Sequence, residues 1–485
     1  MKNALSFLSF ILFSFLGLSQ TVTNVTSTKA DGSYKEGEVI SIMVTFSELV
    51  NVTGIPTLTL ETGDIDVLVD YSSGTGTDTL TFNYTVEAGH TSLDLDYVDI
   101  NSLTFPATVD PALVTTVNTN GASRELTVNG NYAYVGDHSA GFKIFDISDP
   151  SNTSLTATLD LETVAYHVDV VGNYAYLAGV GLKIIDISDP SNPILKGSYV
   201  TTSSHGIKVV GDYAYLASAG RGLDIINISD PNNPTLTGNY TIAGLYAWGL
   251  KVVGNYAYIG NLRSGANGFS IINITDPSSP TLVGNFRTLG TKGLAISGNY
   301  AYLGNAGSGM LIVDISNPSS PTLTGTYELG SFWGVEIVDN YVFLAAQNSV
   351  KIIDVSSPSS PLLTGNLNTT GFTTGLAVSD NYIYVADGDS GLLVISTGLS
   401  YIKSAGSNNA NLTLAVPGEA NSLSANKTLV IDNTNPTITN VTSIISDGSY
   451  KQGDQIPVNV TFSEVVNVSG VPTLTLETGI SDAVV

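Results

Sequence analysis

The sequence predicts an all-β chain assembled from two kinds of repeat, and three observations carry that expectation. The 485 residues include 49 glycines, 24 tyrosines and abundant Thr, Ser and Asn, with 42% apolar residues overall. This is a mixture of strand formers and turn formers with ample material for a core. A short unit recurs seven times at a period of roughly 41 residues. A longer unit, found near each end of the chain, recurs at an offset of 416 without a gap.

The short unit is marked by Tyr-x-Tyr or a close variant, following Gly-Asn, Gly-Asp, Asp-Asn or a similar turn. Its first aromatic is Tyr132, Tyr174, Tyr213, Tyr256, Tyr300, Tyr341 and Tyr382. A Gly-rich loop follows, then an apolar run such as Leu182-Lys183-Ile184-Ile185-Asp186. A proline turn such as Asp189-Pro190-Ser191-Asn192-Pro193 comes next, and then a Leu-x-Gly segment such as Leu282-Val283-Gly284. Each unit reads as four strands. The first precedes the tyrosines, as in Ile207 to Val210; the second carries them; the third is the apolar run; the fourth follows the prolines, which cannot continue a ladder. Alternation puts Tyr174 and Tyr176 on one face and Ala175 and Leu177 on the other, so that neighbouring sheets can nest. Four strands per unit at this period predict a β-propeller, and seven units predict seven blades. The seventh unit ends its third strand at Gly391 to Ile395 with no proline turn behind it. The segment Asp110-Pro111-Ala112-Leu113-Val114-Thr115-Thr116-Val117 has the form of the missing fourth strand, so the ring is expected to close through a shared blade.

In the longer unit, Thr23 to Ser27 recurs at Thr439 to Ser443 and Asp31 to Lys35 at Asp447 to Lys451. Val44 to Glu48 recurs at Val460 to Glu464, and Pro56 to Gly63 at Pro472 to Gly479. Alternating Val, Thr, Phe and Leu between turn signals suit an Ig-like β-sandwich. Residues 398–436, with strands expected over Asn411 to Val416 and Lys427 to Ile431, supply the end of the first copy. The expected order is therefore a leader at 1–19, the first part of a sandwich at 20–112, the propeller at 113–397, the last part of the sandwich at 398–436, and a second sandwich copy begun at 437–485. That copy stops mid-fold at Val485, so the chain is expected to be part of a longer array. A ring whose ends meet in one blade can sit in a surface loop of its host, here the one after Ile100 to Phe105.

Met1-Lys2-Asn3 followed by an apolar run from Ala4 to Leu18 has the form of a signal peptide, with cleavage after Ser19. Beyond it no stretch is apolar enough to span a bilayer. With 17 Lys and Arg against 42 Asp and Glu, the formal charge is −25. That balance argues against nucleic acid and anionic lipid as partners. The absence of cysteine excludes disulfides, thiolate metal sites and a cysteine nucleophile.

The residue eight before each first aromatic falls where the innermost strand begins, at the mouth of the central funnel. These residues are Arg124, Tyr166, His205, Trp248, Lys292, Trp333 and Thr374. They include both tryptophans of the chain. Arg221 and Arg263, with Asp137, His138, Asp387 and Asp389, lie in nearby loops. Aromatic and cationic side chains around a funnel suit a sugar or a peptide; the alternative is that they plug it. His138, His167 and His205 occupy different positions within their units and make a poor metal triad. Asp387 and Asp389 could serve glycoside hydrolysis, but a Gly-rich turn ordinarily uses such residues structurally. No Gly-x-Ser-x-Gly, phosphate-binding loop or His-Glu-x-x-His pattern is present. The recurring Asp146, Asp149, Asp186, Asp189, Asp314 and Asp354 are expected to hold the proline turns. Calcium is the one cofactor expectation, over Asp94, Asp96 and Asp99, of which Asp94 and Asp96 share a strand face.

The third strand, seen as Leu311-Ile312-Val313-Asp314 and less closely as Ile184-Ile185-Asp186, resembles the LVIVD repeat. The Asn-Tyr-Ala-Tyr and Asp-Pro-Ser-x-Pro marks agree with it. The seventh unit departs by ending in Val394-Ile395-Ser396. The Asp-Gly-Ser-Tyr-Lys and Val-Thr-Phe-Ser-Glu segments resemble bacterial Ig-like repeats of adhesin-type surface proteins. The resemblance implies an exported, non-catalytic surface protein whose propeller binds a glycan or protein and whose Ig-like repeats form a stalk. A purely structural spacer with a plugged funnel, and a polysaccharide-acting enzyme at the funnel, stand as alternatives.

Overall fold

The computed structural model describes residues 20–485, apart from 106–108, 139, 162–163, 242–245, 263–264, 306, 308, 329, 405–408, 434–435, 464–465, 467 and 478–482. The leader expectation over Met1 to Ser19 lies outside the described residues. The chain divides into two compact units. Residues 105–401 form one, and the segments on either side of them, through Thr104 and from Ile402, form the other.

In the 105–401 unit each short repeat contributes antiparallel strands in sequence order. In the fourth repeat these are Ala247–Val253, Tyr256–Asn261, Gly265–Asn273 and Thr281–Thr288. Elsewhere strands run on from one to the next, as in Tyr174–Asp186 and Ile194–Val210, because the loops between them stay extended. The first two strands meet in a tight hairpin. The residue before the Asn-Tyr mark has a positive φ of 52–57° at Gly130, Gly172, Gly211, Gly254, Gly298, Asp339 and Asp380. Gly and Asp are the residues that tolerate that geometry, hence the recurring sequence. At the proline turn, Asp186 Oδ1 accepts from Ser188 N at 3.0 Å and Asp189 Oδ1 from Ser191 N at 3.0 Å. Asn227 and Asn273 make the same bond where they replace Asp. The turn aspartates are thus structural, and the serine hydrogen bonds hold the Asp146, Asp149, Asp186 and Asp314 carboxyls below their ordinary pKa.

Sheet nests on sheet through the Tyr-x-Tyr strand. Tyr134 packs with Ala175 and Leu177 of the next repeat, Tyr176 with Ala214 and Leu216, and Tyr215 with Ala257 and Ile259. Tyr258 packs with Ala301 and Leu303, Tyr302 with Val342 and Leu344, and Phe343 with Ile383 and Val385. Tyr384 of the last repeat then packs with Ala133 and Val135 of the first. A large side chain over a small one brings the sheets together without voids, and the series returns on itself. The result is a propeller-like ring.

The Leu-x-Gly segments have an equally direct cause. A β-bulge sits in this pairing in every repeat; in the third, Ile225 faces Gly238 and Ile226 faces Leu236, leaving Thr237 extra. The glycine then lies against the following proline turn. A Cβ on Gly238 would stand 2.2 Å from the Pro277 carbonyl, and Gly197, Gly284 and Gly325 repeat this against Pro231, Pro318 and Pro358. The expected closure is formed: Ala112–Val117 pairs antiparallel with Leu392–Ser396, Leu392 facing Val117 and Ser396 facing Ala112. Ser396, standing where other repeats have Asp, accepts from Ala112 N at 3.3 Å.

The other unit has Val22–Ser27, Val39–Thr53, Thr77–Thr85, Val67–Ser73, Thr57–Leu60 and Leu103–Thr104 in one sheet, in that order. A second sheet sets Leu429–Asp432 between Gly32–Tyr34 and Thr91–Ser92. Along Val39–Thr53 alternate residues Ile40, Ile42, Val44 and Phe46 are buried, as one covered face requires. Segments far apart in sequence join here: Tyr97 Oη donates to the Ala415 carbonyl at 2.7 Å, and Leu95 N to Leu429 O at 2.7 Å. Asn411 to Val416 is not a strand. Asn411 makes an isolated bridge to Thr21 and its side chain accepts from Thr413 N at 3.0 Å, a local turn that competes with a ladder. In the second copy Ile438–Ser443 pairs with Val458–Phe462, Val441 facing Val460, as Val25 faces Val44 416 residues earlier.

Two substitutions separate these constraints. Tyr258→Ala should lower ring stability by about 3–5 kcal/mol. Gly238→Ala should lower it by about 1–3 kcal/mol, since the Pro277 turn must move. Denaturant melts of both variants beside the parent protein check this; a Gly238→Ala midpoint equal to the parent's would remove the close approach as a constraint.

Candidate ligand-binding site

The innermost strand of each repeat carries four functionally distinct positions. The first is the mouth residue. In four repeats it sits at an irregularity: pairing shifts between Ala165 and His167, Ser204 and Gly206, Ala247 and Leu250, and Thr291 and Gly293. A bulge re-aims a side chain, and here it re-aims Tyr166, His205, Trp248 and Lys292. The second position is glycine in five repeats. A Cβ on Gly206, Gly249 or Gly293 would stand 2.5–2.6 Å from the mouth residue's carbonyl in the next repeat, so the inner strands approach as closely as backbone allows. Glu125 and His167 occupy this position in the first two repeats. The third position is apolar core, and the fourth faces the channel.

The mouth side chains form a continuous arc. His138 meets Tyr166 edge-on at 5.8 Å between ring centres; Tyr166 meets His205 at 4.5 Å; His205 stacks on Trp248 at 4.0 Å. Trp248 meets Trp333 edge-on at 5.9 Å, and Trp333 meets Phe372 at 5.3 Å. The Lys292 ammonium lies 2.9 Å from the Trp333 ring centre, a cation–π contact. Burial lowers the Lys292 pKa to about 8, and burial likewise pushes His205 down to about 4. The arc borders a cavity of about 370 Å³ lined by Arg124, Glu125, His138, Tyr166, His205, Tyr246, Trp248, Leu262, Trp333 and Thr374. Two polar atoms of its wall, Arg124 Nε and His205 Nδ1, are buried without a hydrogen-bond partner. The tryptophans are half-buried: clustered, and open to the cavity.

Below the mouth lies a channel of about 280 Å³. Its walls carry charges that the sequence reading did not single out. Lys208 Nζ donates to Asp169 Oδ1 at 2.9 Å, and Val209 N donates to Asp169 Oδ2 at 2.7 Å. Lys251 Nζ donates to Glu336 Oε2 at 3.2 Å, skipping the intervening repeat and so tying the fourth to the sixth. Desolvation opposes the charge on Lys251, but Glu336, with Glu125 and Asp169, raises its pKa all the same. Glu125 borders both this channel and the mouth cavity; desolvation raises its pKa to about 8, with Lys251 opposing the effect and Glu336 adding to it. His167, whose Nδ1 accepts from Ile207 N at 3.0 Å, is lowered to about 4 by desolvation first and by Lys251 second. The column three residues after each mouth residue contains Asp169, Lys208, Lys251 and Glu336; counting it as the mouth column was counted would have found them. Tyr246 and Phe372 were also missed, and both stand two residues before a mouth residue.

Of the expected site residues, the structure brings Arg124, Tyr166, His205, Trp248 and Trp333 to one cavity, with Lys292 against Trp333. Thr374 borders it and donates to the Arg124 carbonyl, joining the last repeat to the first. Arg221 lies elsewhere. Its guanidinium makes a bidentate ion pair with buried Asp224 at 2.9–3.1 Å, and Asn239 Nδ2 also donates to Asp224. Arg263 lies outside the described residues. Asp137 and Asp387 are buried: Thr119 Oγ1 donates to Asp137 at 3.2 Å and Gly371 N to Asp387 at 2.8 Å. The expected calcium ligands are occupied by local bonds. Asp94 accepts from Leu429 N; Asp96 accepts from Tyr97 N, Gly418 N and the Ser424 hydroxyl; Asp99 accepts from Asn101 N. Among the described residues no group of three or more His, Cys, Asp or Glu is placed to hold a metal.

The LVIVD repeat family matches this chain seven times, over residues 120–160, 164–201, 203–242, 244–288, 290–328, 329–369 and 370–415. No curated protein matches it. Among solved structures it is similar to the computationally designed Ika8 protein at 12% identity and a TM-score of 0.45, over 59% of this chain and 99% of that one. Among the described residues no helix is long and apolar enough to cross a membrane.

The two depressed histidines give a test of the site's electrostatics. The unfolded chain takes up their protons near pH 6.5 while the folded chain does not until about pH 4, so stability is lost as pH falls through that window. A His167→Asn/His205→Asn variant should flatten the fall in Tm between pH 6.5 and 4 by several degrees in thermal melts across that range. Glu125 acts with the opposite sign, its contribution fading as pH rises from 4.5 through 8, and is unchanged in the variant.

Proposed function

This chain belongs to the LVIVD-repeat family, and we propose that its repeats form a seven-bladed β-propeller, inserted in an Ig-like β-sandwich, whose funnel mouth binds a surface glycan or protein without catalysis. The observation that carries this reading is the 370 Å³ cavity bordered by the Trp248–Trp333 arc. Its size falls within the range of small-molecule sites, about 300–1,000 Å³, and its wall combines ring surfaces with a few polar groups, as such sites do. The ion pairs beneath it favour entry and exit through the mouth alone. The apolar start at Ala4 to Leu18 supports export, and the repeated long unit supports a stalk carrying the ring. The reading requires no cofactor. A hydrolase is the weaker reading: among the described residues Glu125 is the one carboxylate lining the mouth cavity, and Glu336 near it is tied to Lys251, whereas glycoside hydrolysis uses two carboxylates about 5–10 Å apart beside the substrate.

A glycan and peptide array probed with the protein tests this reading. Binding that is retained by the parent and lost in a folded Trp248→Ala/Trp333→Ala variant is the expected result, a loss of at least tenfold in affinity. Retention equal in both proteins would move the binding surface away from the mouth.

A further inference from the structure

Among the described residues five cations of the ring are paired with carboxylates. Lys143, Lys196, Lys208, Arg221 and Lys251 each sit beside a carboxylate, at 2.9–3.7 Å. Among the described residues Arg124 and Lys292 form no ion pair, and neither do Lys183, Arg287 and Lys351; Arg124 stands apart because it lines the mouth cavity. Arg124 and Lys292 are half-buried, and the Arg124 Nε has no hydrogen-bond partner at all. Leaving a partly desolvated cation unpaired is unfavourable unless something else completes it. Lys292 is held over the face of Trp333, which steadies the cation without neutralising it.

Resting on the binding reading above, we propose that the mouth takes an acidic sugar, a hexuronate whose carboxylate meets Arg124 while its ring lies against the aromatic arc. Three features support this class of ligand. Arginine suits a carboxylate through two parallel hydrogen bonds, and the unpartnered Arg124 Nε offers one of those donors. His205 Nδ1, buried and unpartnered beside Trp248, offers a polar contact for a hydroxyl. The flat rings of Trp248 and Trp333 match the C–H face of a pyranose, which buries apolar surface without asking for hydrogen bonds.

An acidic peptide fits less well. Strand addition needs a free backbone edge, and the inner strands close theirs against one another where Gly206, Gly249 and Gly293 meet the next carbonyl. The chain's net charge does not forbid an anion. Screening over about 8 Å at physiological ionic strength leaves the mouth governed by its own cations. Asp169 and Glu336 of the channel are engaged by Lys208 and Lys251.

The test is a binding titration of the full chain with oligomers of galacturonate, glucuronate, mannuronate and guluronate, each beside its methyl ester, which keeps the ring and removes the charge. At least one acid should bind ten or more times more tightly than its ester, and its affinity should fall as salt is raised. Arg124→Gln should erase that preference and Arg124→Lys should restore part of it; thermal melts establish that each variant is folded. Esters binding as well as acids, with Arg124→Gln without effect, would overturn the acidic-sugar inference and leave the glycan reading standing. Failure of every uronate and ester to bind the parent protein would overturn the acidic-sugar inference, and the glycan and peptide array would then decide the binding reading separately.

Discussion

The ring depends on one contact made over and over: the second aromatic of Tyr-x-Tyr laid on the Ala or Val face of the next repeat. Tyr258 against Ala301 is the same arrangement as Tyr384 against Ala133, although the latter joins the two ends of the unit. Burying an aromatic ring is worth several kcal/mol when it leaves no cavity. The contact recurs between each pair of consecutive repeats and again at the closure, so the angle between sheets is set by the size of one side chain and the smallness of its partner. The prolines, glycines and aspartates serve this arrangement. They end strands, let backbones touch and turn the chain.

Fixing the sheets also fixes the lumen. The inner strands meet at glycine, leaving a narrow channel whose width is set by backbone contact and whose walls are lined by whatever the fourth inner position carries. Ion pairs fill it. The mouth residues, lifted out of register by bulges, are gathered above that closed floor into a shallow aromatic cup. Function in this reading lives in a layer of seven variable residues on an invariant frame, which is how a repeat architecture takes on specificity with little change to its core.

Much of this was legible in the sequence, because the repeat shows each constraint seven times over. The tyrosine alternation, the closing strand at Asp110 to Val117 and the mouth column could be read by counting. What escaped the reading depended on partners distant in sequence or on single-residue irregularities. Arg221 is captured by Asp224, three residues away, an attachment that spacing in the repeat does not reveal. Asp96 accepts from Gly418 and Ser424, over 300 residues further on, partners that spacing along the chain does not reveal. The bulges at Tyr166 and His205 cannot be read from composition, since any residue can be the extra one. The channel ion pairs were within reach and overlooked: their column is as regular as that of the mouth, but its residues look like ordinary surface charges until the strands are placed around a lumen.

The chain has only two tryptophans, Trp248 and Trp333, and both stand in the cavity wall. Intrinsic tryptophan emission therefore reports on the mouth and on nothing else. The most direct measurement is a fluorescence titration of the protein with each ligand it retains in solution. A saturable change in emission, with a midpoint equal to that from an independent binding measurement, is the predicted result. Tight binding with emission unchanged would contradict the account, because it would place the ligand somewhere other than the aromatic mouth.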